Sequence, residues 1–433
     1  MTLYTRRNEQ PDVFFVLFCS IVSNTCAKIK KNISSMECFR CRQIGHKAKF
    51  CPKNSYQNRK KVTRKQSMNF ESLANELLFN LFEYLSTADI ICAFSNLNSR
   101  FNRIIFGHLH GCYLNFKSIS KTDDLQAVCF RFLPSIAKRI VSIRISNERD
   151  YSKQNCLLAF YHKYLSKFTE LQSITVCSLR SEPLMRRIMM ELEYFQHLTH
   201  IKLIKCHSIF DGKDTTFLSN NIWTLSKLTH CYFDTDGIMF STPTKTSSSI
   251  ECLSIFGRSS RITDVKQILK RTPRLRTLAI EHRDLNGDDS LSSTIPLLTT
   301  LKLYDLRSRS VLMNLLQNMT NLYHLTVETK FLNLDGHQWE EIIDRYLPKL
   351  NIFRLKMQRQ YTDEKNNRNQ VDLLLDSFRT MFWLEKHQWF VRCHYKLNST
   401  HSDILLYTLP NMFKNRDQIL LKSPSKTTKF CFS

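Results

Sequence analysis

Glycine is scarce in this chain: eight residues in 433. A loop that cradles phosphates on its backbone amides needs several glycines close together, and G-x-x-x-x-G-K-[ST] does not occur. H-E-x-x-H is absent as well, and only one short stretch of Cys and His has metal-ligand spacing. A cross-braced ring holding two zinc ions would need about eight such ligands, so a self-sufficient ligase of that type is not supported. Long apolar runs are missing too. VFFVLFCSIV, Val13 to Val22, is ten residues and too short to span a bilayer. It follows Arg6 and Arg7 in the manner of a weak secretion signal, yet secretion would carry a thiol-rich segment into an oxidising compartment. We therefore expect no membrane association. The carboxyl end, KFCFS, places Cys431 third from the end and misses the prenylation pattern. Acids are outnumbered, with 38 Asp and Glu against 63 Lys and Arg and a net charge of +25. Fifteen cysteines are scattered without a disulfide-like cluster, which favours the cytoplasm or nucleus. No constellation points to a nucleophile with its base, so we name no catalytic residue and expect a protein that is not an enzyme.

One six-residue phrase is abundant: apolar, two free positions, apolar, one free, apolar. Its nine copies are IVSIRI from Ile140, LQSITV from Leu171, LTHIKL from Leu198, LTHCYF from Leu228, IECLSI from Ile250, LRTLAI from Leu275, LTTLKL from Leu298, LYHLTV from Leu322 and LNIFRL from Leu350. Successive starts lie 31, 27, 30, 22, 25, 23, 24 and 28 residues apart. A period of this size marks stacked supersecondary units, none able to bury its apolar face alone. The alternation at the end of each phrase predicts a half-buried strand. Helical periodicity precedes many of them, in CLLAFYHKYLSKF (Cys156 to Phe168), LMRRIMMELEYF (Leu184 to Phe195), DVKQILKR (Asp264 to Arg271), VLMNLLQNM (Val311 to Met319) and WEEIIDRYL (Trp339 to Leu347). Pro183, Pro273 and Pro348 punctuate helix boundaries. Helix then strand, repeated, predicts an α/β solenoid with parallel strands side by side and helices on the opposite surface.

The phrase resembles the leucine-rich repeat, L-x-x-L-x-L, over roughly half the chain. The resemblance implies a curved array with strands on the concave side and helices outside. That family usually has Asn or Cys three positions after the last apolar residue, and here only Cys206 clearly complies. Such irregular repeats are of the kind found with F-box proteins.

Ahead of the repeats, Leu73, Leu77, Leu78, Leu81, Phe82 and Leu85 recur at helical spacing. Ser86, Thr87 and Asp89 supply start signals for a second helix through Ile90, Ile91 and Phe94, and Phe101, Ile104 and Ile105 mark a third. The stripe would also suit an ordinary amphipathic helix of the neighbouring core. The wording resembles the F-box, L-P-x-E-[IL]-L-x-x-[IL]-F-x-[YF]-L-[SD]-x-x-[DE]-[IL] with a later R-[WF]. Leu73, Glu76, Leu77, Leu78, Leu81, Phe82, Tyr84, Leu85, Ser86, Asp89 and Ile90 match it, and Arg100 with Phe101 fills the late signature. The resemblance implies a small all-α module that binds a Skp-type adaptor and through it a cullin scaffold. Leu73, Leu77, Phe82 and Leu85 would supply adaptor contacts or their immediate support. Ala74 stands where the family usually has Pro.

Further upstream, Cys38, Cys41, His46 and Cys51 form C-x2-C-x4-H-x4-C, a ligand set suited to one tetrahedral structural zinc ion. The pattern resembles the zinc knuckle of nucleic-acid-binding proteins, with Gly45 before the histidine and Phe39 after the first Cys. Thirteen Lys and Arg against the single acid Glu37 lie between Lys28 and Lys65. Phosphates held by Arg40, Arg42, Lys47 and Lys49 with a base stacked on Phe39 would hold single-stranded RNA or DNA. A charged linker around a metal-stapled nub, or nuclear import through RKKVTRK (Arg59 to Lys65), is compatible with the same residues. Met68 stands two residues before the F-box-like segment as an alternative start, which would leave 1–67 as upstream sequence.

In the repeats, the free position between the last two apolar residues should point away from the core. It reads Arg144, Thr175, Lys202, Tyr232, Ser254, Ala279, Lys302, Thr326 and Arg354, and the row before it includes His200, His230, Thr277, Thr300 and His324. Arg144, Lys202, Tyr232, Lys302, Arg354, His200, His230 and His324 make this a candidate surface for an acidic or phosphorylated protein segment, though solvated strand faces are polar in any case. The aromatics Phe378, Phe382, Trp383, Trp389, Phe390 and Tyr395 suit either a cap over the last repeat or a second capture site. The expected division is 1–67 basic and mostly disordered tail with the knuckle at 38–51, 68–110 F-box, 111–360 repeat array, and 361–433 cap and loose basic tail.

Overall fold

The computed structural model describes residues 73–85, 87–95, 97–108, 112–116, 125–126, 128–146, 156, 164–207, 216–236, 243–257, 267–281, 295, 297–361, 367–397, 402–409 and 428–430. Two compact units divide the chain, at 1–136 and 137–433. The segment 111–136, which the sequence pattern assigned to the array, thus groups with the first unit.

In the first unit, helices α1 (Asn75–Phe82), α2 (Thr87–Phe94) and α3 (Ser99–His108) fall on the three predicted apolar stretches. Strand β1 (Cys112–Asn115) and the short α4 (Leu133–Ile136) follow. Leu78, Phe82, Ile91, Phe94, Phe101 and Ile105 form the buried centre. Asn98 starts α3 by accepting the Phe101 amide at 3.0 Å, as a short polar side chain at a helix start does.

The second unit is built on strands at all nine phrases: β2 (Ile140–Ser146), β3 (Ser173–Cys177), β4 (His200–His207), β5 (His230–Asp236), β6 (Cys252–Phe256), β7 (Thr277–Glu281), β8 (Thr300–Tyr304), β9 (His324–Thr329) and β10 (Ile352–Tyr361). They lie side by side in chain order, and each pair is parallel. The unit's sheet has twelve strands because β11 (Val391–Leu397), β12 (Ser402–Thr408) and β13 (Thr428–Phe430) extend it past β10 in the order β10-β12-β11-β13, all antiparallel. A mostly parallel sheet with helices between its strands is consistent with a leucine-rich-repeat-like solenoid.

Alternation places one side of each strand in the core. Ile143, Ile145, Ile174, Val176, Ile201, Leu203, Leu301, Leu303, Leu325 and Val327 are all buried, and so is the first apolar residue of every phrase. Each such aliphatic side chain contributes about 1.5–3 kcal/mol by leaving water. A backbone spine runs across the stack just before the strands. The carbonyl of Gln172 accepts the amides of Thr199 and His200 at 2.9 and 3.0 Å, and that of Thr199 accepts Thr229 and His230 at 3.0 Å each. Glu251, Arg276, Thr299 and Tyr323 continue the same double acceptance.

At the eighth position of four phrases the backbone turns, ending β3, β6 and β8 and making a bulge within β4. Ser178, Lys205 and Asp305 have φ near +50° there, and Gly257 has φ 131°. The residue that follows is turned inward: Leu179, Cys206 and Leu306 are buried. Leucine therefore fills with apolar volume the place where the repeat family usually has Asn or Cys. Cys206 fills it with a thiol that donates to the Val176 carbonyl at 3.6 Å, and burial holds that thiol protonated, with its pKa raised to about 11.

Helices α5 (Glu182–Glu191), α7 (Arg309–Leu316) and α8 (Gly336–Tyr346) sit on predicted segments and start on side-chain caps from Ser181, Ser308 and Asp335. Helix α6 (Thr216–Trp223), TFLSNNIW, was not anticipated. Its polar residues blur the periodicity, and it is held by burying Leu218, Ile222 and Trp223. After α9 (Asn367–Asp376), the aromatics Phe378, Phe382, Trp383 and Trp389 are buried. Phe353 of the last repeat meets Trp383 at 5.9 Å and Trp389 at 5.4 Å between ring centres, so these residues form the cap. Phe390 is at the surface, and the side chain of Tyr395 lies outside the described residues. Within the segment expected to be loose, Thr428–Phe430 pairs with β11.

Candidate partner-binding face

Parallel register brings the whole predicted row together. Arg144 pairs with Thr175, then in sequence Lys202, Tyr232, Ser254, Ala279, Lys302, Thr326 and Arg354, without a break. The row before it is equally continuous: Ser142, Ser173, His200, His230, Cys252, Thr277, Thr300 and His324. Arg144, Lys202 and His230 are exposed, whereas Tyr232, Lys302, Arg354, His200 and His324 are half-buried. Ala279 and Thr326 are buried and form part of the floor.

A third row on the same face was missed. Two residues beyond the centre row, alternation places Asp234, Phe256, Glu281, Tyr304, Glu328 and Lys356. The signal was available, since the period-2 pattern runs past the last apolar residue of each phrase. The face is therefore basic in its centre and carries carboxylates on one flank. Lys356 and Glu328 are paired at 3.0 Å. Tyr232 of the centre row and Phe256 and Tyr304 of the third row form an aromatic tract, with successive centroids 5.2 and 5.4 Å apart.

The histidines are held neutral near pH 7. Burial, then His230 and Lys202, lower the pKa of His200. Burial and Lys202 lower that of His230 against an opposing pull from Glu251. Burial, Arg354 and Lys302 bring His324 down to about 4. At neutral pH the charge of the two rows comes from Arg144, Lys202, Lys302 and Arg354.

The adaptor candidates divide by exposure. Leu77 is 54% exposed and Phe82 2%, while Leu73 and Leu85 are half-buried. Helix α1 thus has an inner stripe, Leu78 and Phe82, and an outer apolar stripe formed by Leu77 with Tyr84 just beyond it, 55% exposed. Phe82 is buried in the core of the first unit. Arg100 of the late signature donates to Asn75 Oδ1 at 3.0 and 2.7 Å and to the Leu73 carbonyl, which ties α3 to the start of α1. Ala74 has φ −61° and ψ 153°, within the range proline imposes. Ala74→Pro is expected to raise the first unit's stability by about 0.5–1 kcal/mol by restricting the unfolded chain. Urea unfolding measures this, and a lower midpoint would show that the ring does not fit.

The knuckle ligands Cys38, Cys41, His46 and Cys51, and with them Phe39, Arg40, Arg42, Lys47 and Lys49, lie outside the described residues. Among the described residues no group of three or more His, Cys, Asp or Glu is placed to hold a metal ion. No described helix is long and apolar enough to cross a membrane.

The second unit defines the class: an α/β repeat protein whose mostly parallel sheet presents one polar face. No family model matches the chain, and comparison with curated proteins finds no relative. Among solved structures it is similar to a chain of the crystal structure of the Rad7 and Elc1 complex in yeast, at 13% sequence identity and a TM-score of 0.31, covering 80% of this chain and 93% of that one.

Proposed function

We propose that the protein is a substrate-recognition subunit of a Skp–cullin–F-box ubiquitin ligase. The observation that carries this reading is the outer stripe of α1: Leu77 is more than half exposed on a helix whose inner stripe already fills a core. A large apolar side chain in that position, on residues that follow the F-box pattern, suits an adaptor. In this reading the sheet face binds the protein to be modified, through an acidic or phosphorylated segment. The protein performs no chemistry itself and acts by holding an acceptor lysine near ubiquitin carried by other subunits. The N-terminal knuckle, with Zn2+ on Cys38, Cys41, His46 and Cys51, would add a contact for single-stranded RNA, a role supported by its spacing and basic surroundings. Cytoplasm or nucleus suits both activities.

The test is co-purification of the full chain with a Skp adaptor and cullin, beside Leu77→Asp. Loss of a central apolar anchor costs about 2 kcal/mol or more, roughly thirtyfold in affinity, so the variant should lose the adaptor while remaining folded. Adaptor held equally by both proteins, or by neither, would overturn the assignment.

A further inference from the structure

We infer that Lys202, His200 and His230 form a seat for one phosphoryl group carried by a phosphorylated protein segment. The inference deepens the proposed reading of the sheet face and rests on it, but not on the adaptor.

Hydrogen bonding orients the two imidazoles. The Thr199 hydroxyl lies 3.0 Å from the Gln172 carbonyl. The same oxygen lies 2.8 Å from His200 Nδ1, a hydrogen bond that anchors the ring through that nitrogen. The arrangement recurs one repeat later: Thr229 donates to the Thr199 carbonyl at 3.2 Å and lies 2.8 Å from His230 Nδ1. Both rings are thus anchored through Nδ1, which leaves Nε2 as the nitrogen available to a ligand. Paired in register on adjacent strands, the rings stack with centroids 4.3 Å apart and planes 11° from parallel.

Lys202 is two residues from His200 on the same strand and therefore on the same face. Burial disfavours a charge on either ring, two imidazolium rings this close would repel each other, and Lys202 repels both, so without a dianion the two imidazoles stay neutral near pH 7. The other neighbours change little. Ser173 and Cys252 are the next rungs of the row, and burial raises the Cys252 thiol pKa. Glu251 favours a proton on His230 and is the carboxylate that acts on the pair. A dianion over Lys202 would reverse the balance. Each ring could then take up one proton from solvent and donate an N–H from Nε2 to a phosphoryl oxygen, giving charge-assisted contacts from three cationic groups. A phosphate monoester, with its second pKa near 6, can supply that second charge, which a phosphodiester lacks.

The experiment follows the imidazole C–H resonances of the full chain by NMR across pH 5.5–8, with and without acetyl-phosphoserine amide, in wild type and Lys202→Met. The probe should raise the titration midpoints of His200 and His230 by about one unit, equivalent to a tenfold change in proton affinity. Lys202→Met should bind the probe roughly tenfold more weakly and lose the midpoint rise. No rise in wild type, or an undiminished rise in Lys202→Met, would overturn the proposal. So would a rise produced by oligouridylate and not by phosphoserine, which would give the seat to RNA. Because no adaptor is present, the result is independent of the co-purification test.

Discussion

Replacing Gly336 with alanine is expected to destabilise the second unit by about 3 kcal/mol, at the upper end of what an overpacked site costs. Gly336 opens α8 at the point where the cap meets the last repeats. Its amide donates to Ser377 Oγ at 2.7 Å, and its carbonyl accepts Trp383 Nε1 at 3.2 Å. A methyl group at this position would press into the Ser377 carbonyl and lie 2.7 Å from the Phe378 amide nitrogen. The obstruction is backbone, which cannot rotate aside as a side chain can. Ser377 Oγ also donates to the Leu374 carbonyl at 2.6 Å, so the turn after α9 is held on both sides. The clash and the loss of these bonds act together and should loosen the packing of Trp383 against Phe378 and Phe353. Denaturant unfolding followed by tryptophan fluorescence measures the cost. His337→Ala, one residue on at an exposed position, should stay within about 0.5 kcal/mol of wild type. Adding Ser377→Ala to Gly336→Ala should restore nothing, since the obstructing atoms belong to the backbone. A stable Gly336→Ala, or rescue by the second change, would show that the helix start shifts to accommodate the methyl.

The strands were legible because a period of two is hard to mistake when it recurs nine times after the same leading apolar residue. Legible for the same reason was the register, since equal phrases stacked in parallel can only align like with like. Helix α6 was not, because its sequence has little periodicity and tertiary burial of Trp223 and Ile222 does what pattern does elsewhere. The carboxylate row at Asp234, Glu281 and Glu328 escaped because the phrase ends before it. The cations of the face were readable as residue types, but the neutrality of the histidines was not. That depends on their burial and on the closeness of Lys202, Lys302 and Arg354, which only the packed sheet supplies. Gly336 gave no sequence signal at all: its requirement comes from Ser377, forty-one residues away.

The sharpest limit of sequence reading lies in α1, where Leu77 and Phe82 look alike as apolar residues at helical spacing yet one is exposed and the other buried. Phe82→Ala is therefore expected to unfold the three-helix module, and Leu77→Asp to leave it folded. The Phe82 ring lies 5.2 Å from Phe94, which in turn stacks on Phe101 at 5.8 Å, in the centre formed with Leu78, Ile91 and Ile105. Truncating such a ring typically costs about 3–5 kcal/mol, close to the whole stability of a core this small. Helical circular dichroism and proteolysis of the full chain should show loss of the first unit, with the second unit's denaturant transition unchanged. The adaptor binding proposed above would then also be lost, but only as a consequence of unfolding. Leu77→Asp adds a charge to a side chain already largely in water, so its stability change should stay below about 1 kcal/mol. The pair separates anchor from scaffold: equal destabilisation by both variants would mean that Leu77 is packed in solution and α1 has no outer stripe to offer a partner. A folded Phe82→Ala module that still holds adaptor would mean instead that the three aromatic rings are not its core.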